Sequence, residues 1–215
     1  MEKQKANVEL EVELEVRDKN GKLISVHRQQ SKSLLKNFAR ILRTMFLAVG
    51  GQSTYAVSTT LTDTSGASKT FYGAYTYGSG NSGLAPMCAN APSGNDAHGI
   101  QVGSSSTAVT RDDFQLGGKI ANGTSAGQLS YGSMTVEDTD GTAPDTIFRL
   151  IRTFTNNTSS AITVYEIGLV IANTYISAGS RATNYFLIAR DVLSAPQSIP
   201  AGATLTVRYI FKVTA

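Results

Sequence analysis

The sequence predicts an all-β protein in which two antiparallel sheets pack as a sandwich of the jelly-roll or Greek-key type, with one N-terminal amphipathic helix. Three observations favour this fold class. Apolar and polar residues alternate with a period of two near both ends of the chain, as they do in half-buried strands. Only one stretch shows helical spacing. The chain of 215 residues, 41% of them hydrophobic, is long enough to bury a core.

The first expected element is a β-hairpin over residues 7–28. Valine and leucine alternate with glutamate from Val8 to Val16, and Asn20-Gly21 is a pair that tolerates positive φ in a tight turn. The glutamates share one face, where they repel one another unless they are solvated or meet cations on a neighbouring strand or chain. They are candidate assembly contacts: Glu9, Glu11, Glu13 and Glu15.

An amphipathic helix should follow the hairpin, because apolar residues recur at helical spacing from Leu34 to Val49 before a glycine pair ends the pattern. Its opposite face is either a solvated surface or a contact for a partner. The cations on that face are further candidate assembly contacts: Lys36, Arg40 and Arg43. We expect residues 1–50, the hairpin and helix, to pack on or extend from a β-sandwich domain formed by residues 51–215.

Glycine, serine and threonine are dense in residues 51–145, which predicts short strands and long loops. Residues 55–61 and 70–77 are expected to pair as a hairpin across a turn at 63–66, and a long loop should follow over residues 78–96. Rings on a strand more often pack in a core, but they also bind sugars or nucleobases. The second strand carries the candidate ligand contacts Tyr72, Tyr75 and Tyr77.

The last third of the chain contains several segments with the pattern of β-strands. Two apolar runs, residues 147–155 and 161–172, flank a polar turn and predict another hairpin. Residues 185–193 predict a further strand, which a proline-bounded loop should end. The final strand has the clearest pattern, because apolar residues from Leu205 to Val213 alternate with polar ones.

Few residues are suited to catalysis. Cys88 is the single cysteine, which excludes an internal disulfide and a multi-cysteine metal site, and His27 and His98 are the only histidines. The sequence contains neither a nucleophile elbow nor a complete phosphate-binding glycine motif. The sequence therefore predicts neither an enzyme nor a cofactor, with a Cys88–His98 pair as the least favoured alternative.

One acidic turn is a weak candidate for a calcium site, because alternating carboxylates before a glycine supply the hard oxygen ligands that this ion prefers. The sequence lacks the rest of an EF-hand, so a plain turn is favoured and no metal is predicted. The carboxylates of this turn are Asp138, Asp140 and Asp145.

The formal net charge is +3, and the positive excess falls within residues 1–50 without forming a long basic tail. This distribution makes nucleic acid an unlikely class of partner, although Lys36, Arg40 and Arg43 leave that alternative open. No apolar run approaches the ~18 residues that a membrane-spanning helix needs, and the first residues do not resemble a signal peptide. We therefore expect no membrane partner.

Several segments of residues 99–215 form a recognisable set: Gly99-Ile100-Gln101-Val102-Gly103 with residues 104–116, Arg152-Thr153-Phe154-Thr155-Asn156-Asn157, Glu166-Ile167-Gly168-Leu169, Leu187-Ile188-Ala189-Arg190-Asp191-Val192 and residues 199–207. With these segments the chain resembles virion structural proteins of tailed bacteriophages and related prokaryotic viruses. The resemblance implies a β-sandwich protein without catalysis or cofactor that assembles in many copies as a capsid, decoration, turret or tail component. It implies contacts with copies of itself and with other virion proteins, synthesis in the host cytoplasm and residence in the virion.

The alternative function is a carbohydrate- or receptor-binding module of a tail fibre or adhesin. Under that hypothesis, the three tyrosines and the loop over residues 78–96 would form the binding site. Assembly and ligand binding are distinguishable, because the first produces defined oligomers and the second does not require them.

Overall fold

Two antiparallel sheets pack face to face in the computed structural model of the protein, which describes residues 7–31, 33–47, 58–73, 87–139, 145–177 and 180–214. The helix is α1 (Lys36–Phe46). The strands are β1 (Asn7–Arg17), β2 (Leu23–Gln30), β3 (Ser58–Thr62), β4 (Ser68–Tyr72), β5 (Gly99–Gly103), β6 (Ser130–Thr139), β7 (Asp145–Thr155), β8 (Ile162–Ser177), β9 (Ser180–Ile199) and β10 (Thr204–Thr214).

The larger sheet has five strands in the order β2-β1-β10-β7-β6, and the smaller one has three in the order β5-β8-β9. Strands β3 and β4 form a separate pair. All the pairings are antiparallel, so the all-β prediction is confirmed. Strand β1 pairs with β10 along its whole length, so the N-terminal hairpin belongs to the same sheet as the C-terminal strand. The division of the chain at residue 50 stays a prediction.

Both predicted N-terminal turns form around an aspartate. Asp18 Oδ1 accepts hydrogen bonds from the backbone N–H groups of Asn20 (2.8 Å) and Lys22 (2.9 Å), and Gly21 has a φ of 81°. Asp63 makes the equivalent turn between β3 and β4. These aspartates favour the turns because their carboxylates accept hydrogen bonds from backbone N–H groups that have no partner in the strands.

The prediction of a hairpin from residues 147–155 and 161–172 is wrong. The two strands exist as β7 and β8, but β7 pairs with β6 and β10 whereas β8 pairs with β5 and β9. The polar turn between them crosses from one sheet to the other. Asn156 is fully buried in that crossing, and its Nδ2 donates to the carbonyls of Ser160 and Ile199 at 2.8 Å each. The proline-bounded loop is also wrong in part, because β9 continues to Ile199.

Helix α1 buries a narrower side than the apolar pattern indicates. Its buried residues are Asn37, Ile41 and Thr44, and Asn37 Nδ2 donates to the carbonyl of Thr62 at 2.9 Å. Phe46 at the end of the helix is 82% exposed. The reason is geometric: among the strands the helix packs mainly on β3 and β9, so one strip of its surface faces the protein, while Leu42, Met45 and Phe46 remain exposed.

Arg152 on β7 lies fully buried at an inner-face position of the larger sheet. Its guanidinium donates to five carbonyl oxygens, those of Pro92, Asn95, His98, Ile100 and Gly132, and it lies 4.7 Å from the ring centroid of Tyr131. Burial lowers the pKa of Arg152 to about 10, so it remains a cation at neutral pH. Because its acceptors lie on β5, β6 and the segment before β5, this side chain ties the two sheets together.

We predict that Arg152→Met lowers the free energy of unfolding by about 3 kcal/mol or more, because it leaves several buried carbonyls without donors. Urea unfolding at neutral pH measures the change. Arg149→Met is the matched control, since Arg149 lies on the outer face of the same strand and its loss should cost less than about 1 kcal/mol. Equal losses in the two variants would contradict the structural role of Arg152.

Candidate functional site

One end of the packed sheets leaves part of its core face uncovered. On the larger sheet, inner-face residues at this end continue the rows of buried core residues but remain accessible: Val8 is 74% exposed, Val136 55%, Val213 43% and Phe148 38%. Val8 and Val213 are register partners on β1 and β10, and Phe148 follows on β7. We call these four side chains the open end.

An apolar groove of about 460 Å³ enters the space between the sheets at the open end. The rings of Phe148 and Phe211 stack on one wall with their centroids 4.4 Å apart. The groove is lined by Phe38 of α1, residues 87–90, Val136, Phe148, Leu150 and Phe211 of the larger sheet, and Leu169, Ile171 and Ile188 of the smaller sheet. Its walls are almost entirely hydrocarbon, so water gains few hydrogen bonds there.

The segment before β5 forms the rim of this groove. Cys88 exchanges two backbone hydrogen bonds with Ala172 of β8, with N–O distances of 3.0 and 2.8 Å. Its half-buried thiol lines the groove, and its neighbour Met87 is 43% exposed. This surface could not be predicted from the sequence, because residues such as Val8 and Val213 have the pattern of ordinary core positions.

The predicted glutamate face meets cations within its own sheet. Glu13 bonds Arg28 Nε at 2.6 Å on β2 and Arg208 Nη1 at 2.8 Å on β10. Glu15 bonds Arg208 at 3.3 Å and also Arg17, and the hydrogen bond from Arg17 lowers the pKa of the Glu15 carboxyl. The remaining candidates on this face are Glu9, opposite Lys212, and Glu11, opposite Ile210. Intramolecular pairing therefore relieves much of the repulsion that the sequence indicates.

Two of the three basic residues of α1 bond to neighbouring segments and help to hold the helix in place. Lys36 Nζ lies 2.8 Å from Asp112 Oδ1, and the Lys36 backbone N–H donates to the carbonyl of Arg111 at 3.0 Å. Arg40 Nη1 donates to the carbonyl of Thr60 on β3 at 3.2 Å. Arg43 lies exposed in the last turn of the helix. The structure separates these residues from the glutamate face, so the two groups of assembly candidates form different surfaces.

The remaining candidates lie only partly within the described residues. Tyr72 is half-buried and packs on Tyr175 with ring centroids 4.9 Å apart, whereas Tyr75 and Tyr77 lie outside the described ranges. Asp138 is an exposed residue of β6 and Asp145 begins β7, but Asp140 lies outside them. Among the residues that the structure places, no three His, Cys, Asp or Glu side chains group as metal ligands.

A buried ion cluster that the sequence did not reveal holds the loop after β5. Arg190 on β9 bonds Glu166 Oε2 on β8 and Asp113 Oδ2 in the loop, both at 2.7 Å, and Arg190 and Glu166 are almost completely buried. Glu166 also accepts hydrogen bonds from the backbone N–H groups of Gly117 (3.1 Å) and Gly118 (2.7 Å). The charged residues inside the apolar runs of β8 and β9 could have indicated this cluster, since a buried charge needs a partner.

His98 is buried beside the same loop region, and its ring stacks on that of Tyr185 at 5.9 Å. Its Nδ1 has no hydrogen-bond partner among the described atoms. Burial lowers the pKa of His98 below its ordinary value of 6.5, which favours the neutral ring. Cys88 contacts the carbonyl of Asn90 instead of an imidazole, so no hydrogen bond joins the Cys88–His98 pair in the part of the chain that is placed.

Comparison of the chain with protein-family models, with curated proteins and with solved structures finds no match in any of the three. The only helix in the described ranges, α1, is too short to cross a bilayer.

We predict that His98 makes the protein less stable as the pH falls from about 7.5 to about 5.5. The unfolded chain binds a proton on this imidazole near pH 6.5, whereas the folded chain binds it only at lower pH, so acid favours unfolding. The slope cannot exceed ~1.4 kcal/mol per pH unit for one proton. Urea unfolding across this range should show a smaller slope for His98→Gln than for the wild type. An undiminished slope in His98→Gln would contradict the assignment.

Proposed function

We propose that this chain is a non-enzymatic structural protein that assembles in many copies into a virion, as a capsid-associated or tail component. The observation that carries the proposal is the apolar groove at the open end. Large exposed apolar surfaces on soluble proteins mark contacts with other macromolecules. The sequence resemblance of residues 99–215 supplies the class of assembly, and other copies of the chain are the first partner.

The energetics favour a protein contact at the open end. Full burial of a valine or phenylalanine side chain contributes roughly 1.5–3 kcal/mol. The free energy gained by burying the four side chains of the open end therefore approaches the lower part of the free-energy cost of association, ~4–15 kcal/mol. Assembly consequently needs the groove walls or a second contact in addition to these four residues.

The strand order supports the finer assignment of the fold to the Greek-key type. Strand β7 lies in the larger sheet, the chain then crosses to the smaller sheet for the hairpin β8–β9, and β10 returns to lie beside β7. A return of this kind after a hairpin in the other sheet is typical of β-sandwiches. We include the jelly-roll or Greek-key sandwich with its N-terminal helix as part of the proposal.

The proposed contact is apolar, and this separates it from an electrostatic one. Contacts between the glutamate face of one copy and the basic face of α1 of another would weaken as salt screens them. Burial of the groove is little affected or strengthened by salts that favour apolar contacts. Assembly that persists at high salt supports the open end, and assembly that disappears there supports the charged surfaces instead.

We predict that Val136→Glu prevents the formation of large assemblies, because it places a charge on the wall of the groove. Negative-stain electron microscopy and light scattering across protein concentration should show large species for the wild type and small ones for this variant. Thr135→Glu is the matched control, since it adds the same charge on the neighbouring, outward-facing residue of β6 and should assemble like the wild type.

A wild-type chain that stays monomeric at every concentration and salt tested would overturn the assembly proposal. The carbohydrate- or receptor-binding alternative would then be favoured. The described part of its candidate site is the ring of Tyr72, which packs against that of Tyr175. A glycan array is the direct measurement for that alternative.

A further inference from the structure

Three of the four edges of the two main sheets are covered over part of their length by other parts of the chain. At the β9 edge, Leu35 N–H donates to the carbonyl of Ile188 at 2.9 Å, and Arg190 N–H donates to that of Ser33 at 3.3 Å. At the β5 edge, Ile120 N–H donates to the carbonyl of Val102 at 2.9 Å. These bonds satisfy backbone groups that an open edge would present to other chains.

The β6 edge is covered in the same way over its first half. Met134 N–H donates to the carbonyl of Ala91 at 2.8 Å, and Gly94 N–H donates to that of Tyr131 at 2.9 Å. A register irregularity between Tyr131 and Met134 further disturbs this edge. Bulged and covered edges are common devices against unwanted strand pairing.

Strand β2 is the exception within the described ranges, because it pairs only with β1. Ser31 N–H donates to the carbonyl of Leu10 at 2.7 Å. This bond identifies which residues of β2 direct their backbone groups toward β1. Because hydrogen-bonded residues alternate along an antiparallel strand, every second residue of β2 directs its backbone groups outward. The outward residues are Val26, Arg28 and Gln30, whereas Ile24 lies at the register irregularity between β1 and β2, where the alternation is interrupted.

One usual protection of a free edge is present near the start of β2, where its register with β1 is irregular between Val16 and Arg17, but the rest of the strand has few others. Ile24 is 47% exposed and Val26 48%, and both lie on the outer face of the sheet. The strand contains no proline, and its inward-facing residues Ser25, His27 and Gln29 carry no carboxylate, lysine or arginine. An exposed apolar edge of this kind is a template for strand addition.

We propose that β2 pairs antiparallel with β2 of a second copy around a two-fold axis, which joins two five-stranded sheets into one. In the register we infer, Val26 lies opposite the partner's Arg28, and Ile24 lies opposite the partner's Gln30. Val26 and Arg28 of each copy then form hydrogen-bonded pairs with the partner's Arg28 and Val26. A shift of two residues one way sets Arg28 against the partner's Arg28. A shift the other way places Arg28 opposite the partner's Ile24, at the register irregularity, and leaves Val26 opposite the partner's Val26.

This inference rests on the proposed function and completes it. A two-fold interface on its own closes at a dimer, so assembly into many copies needs a second, different contact. The open end and the β2 edge lie on different parts of the sheet and supply two such contacts. Pairing of β2 is tested separately from the open end, so the two proposals can fail independently.

The inferred register places His27 directly opposite the partner's His27 at a non-hydrogen-bonded position, where Cβ atoms lie ~4.5–5.5 Å apart. Cysteines at such positions approach disulfide geometry. In the full chain with Cys88→Ser, mild oxidation of His27→Cys should therefore give a covalent dimer on a non-reducing gel. The matched control is Ser25→Cys, which faces the partner's Gln29 and should remain largely unlinked.

Circular dichroism establishes that both cysteine variants are folded before oxidation. A covalent dimer from His27→Cys alone supports the proposal. No dimer from His27→Cys, equal linkage of both variants or linkage of Ser25→Cys alone overturns it. These outcomes do not depend on the large assemblies, because the dimer forms whether or not the open end makes its own contact.

A second measurement uses the variant whose open end is blocked. Sedimentation of Val136→Glu should show a dimer, and adding Val26→Lys should lower the dimer affinity at least about tenfold because the new charge meets the partner's Arg28. Thr206→Lys is the matched control, since Thr206 and Val26 flank Glu15 on opposite sides. Monomeric Val136→Glu, or equal weakening by both lysines, overturns β2 pairing, whereas large assemblies of Val136→Glu overturn the open-end contact.

Discussion

The architecture depends on covering the inner face of a five-stranded sheet with a sheet of only three strands. Side chains on a sheet alternate between faces, so β1, β10, β7 and β6 present rows of mainly apolar residues to the interior. The smaller sheet, α1 and the segments around β5 cover most of these rows. The rows remain exposed at the open end, where the sheet presents Val8, Val136, Phe148 and Val213.

Buried cations position the segments that complete this cover. Arg152 binds carbonyl oxygens before and within β5, and Arg190 with Glu166 and Asp113 binds the loop after β5. Loops rich in glycine, serine and threonine have little apolar surface with which to attach themselves. Hydrogen bonds to buried arginines replace that attachment and give each loop a single position.

The sequence predicts the elements whose signal is local. Strands β1 and β10 follow from strict alternation, and the turns at Asp18 and Asp63 follow from their turn chemistry. The choice of pairing partner is not local, which is why the hairpin expected from β7 and β8 is wrong. Both strands are apolar, so their patterns do not show that they belong to different sheets, and the buried Asn156 marks the crossing between them. The buried strip of α1 was equally inaccessible, because its position depends on β3 and β9.

The candidate contacts divide in the same way. The glutamate face was visible in the pattern, but its cation Arg208 lies almost two hundred residues away along the chain, so their pairing was not. The open end was hidden because its residues resemble core positions, and the free edge of β2 appears only once the other edges are seen to be covered. Exposure of an apolar residue depends on the whole fold rather than on its neighbours in sequence.

The thiol of Cys88 lines the apolar groove and is the only thiol in the chain, so it reports directly on whether a second copy covers the open end. The measurement is the rate of its alkylation in the wild-type protein as a function of protein concentration. We expect a fast rate in dilute solution that falls several-fold as assemblies form. A rate that is independent of concentration while the protein assembles would contradict burial of the groove between copies.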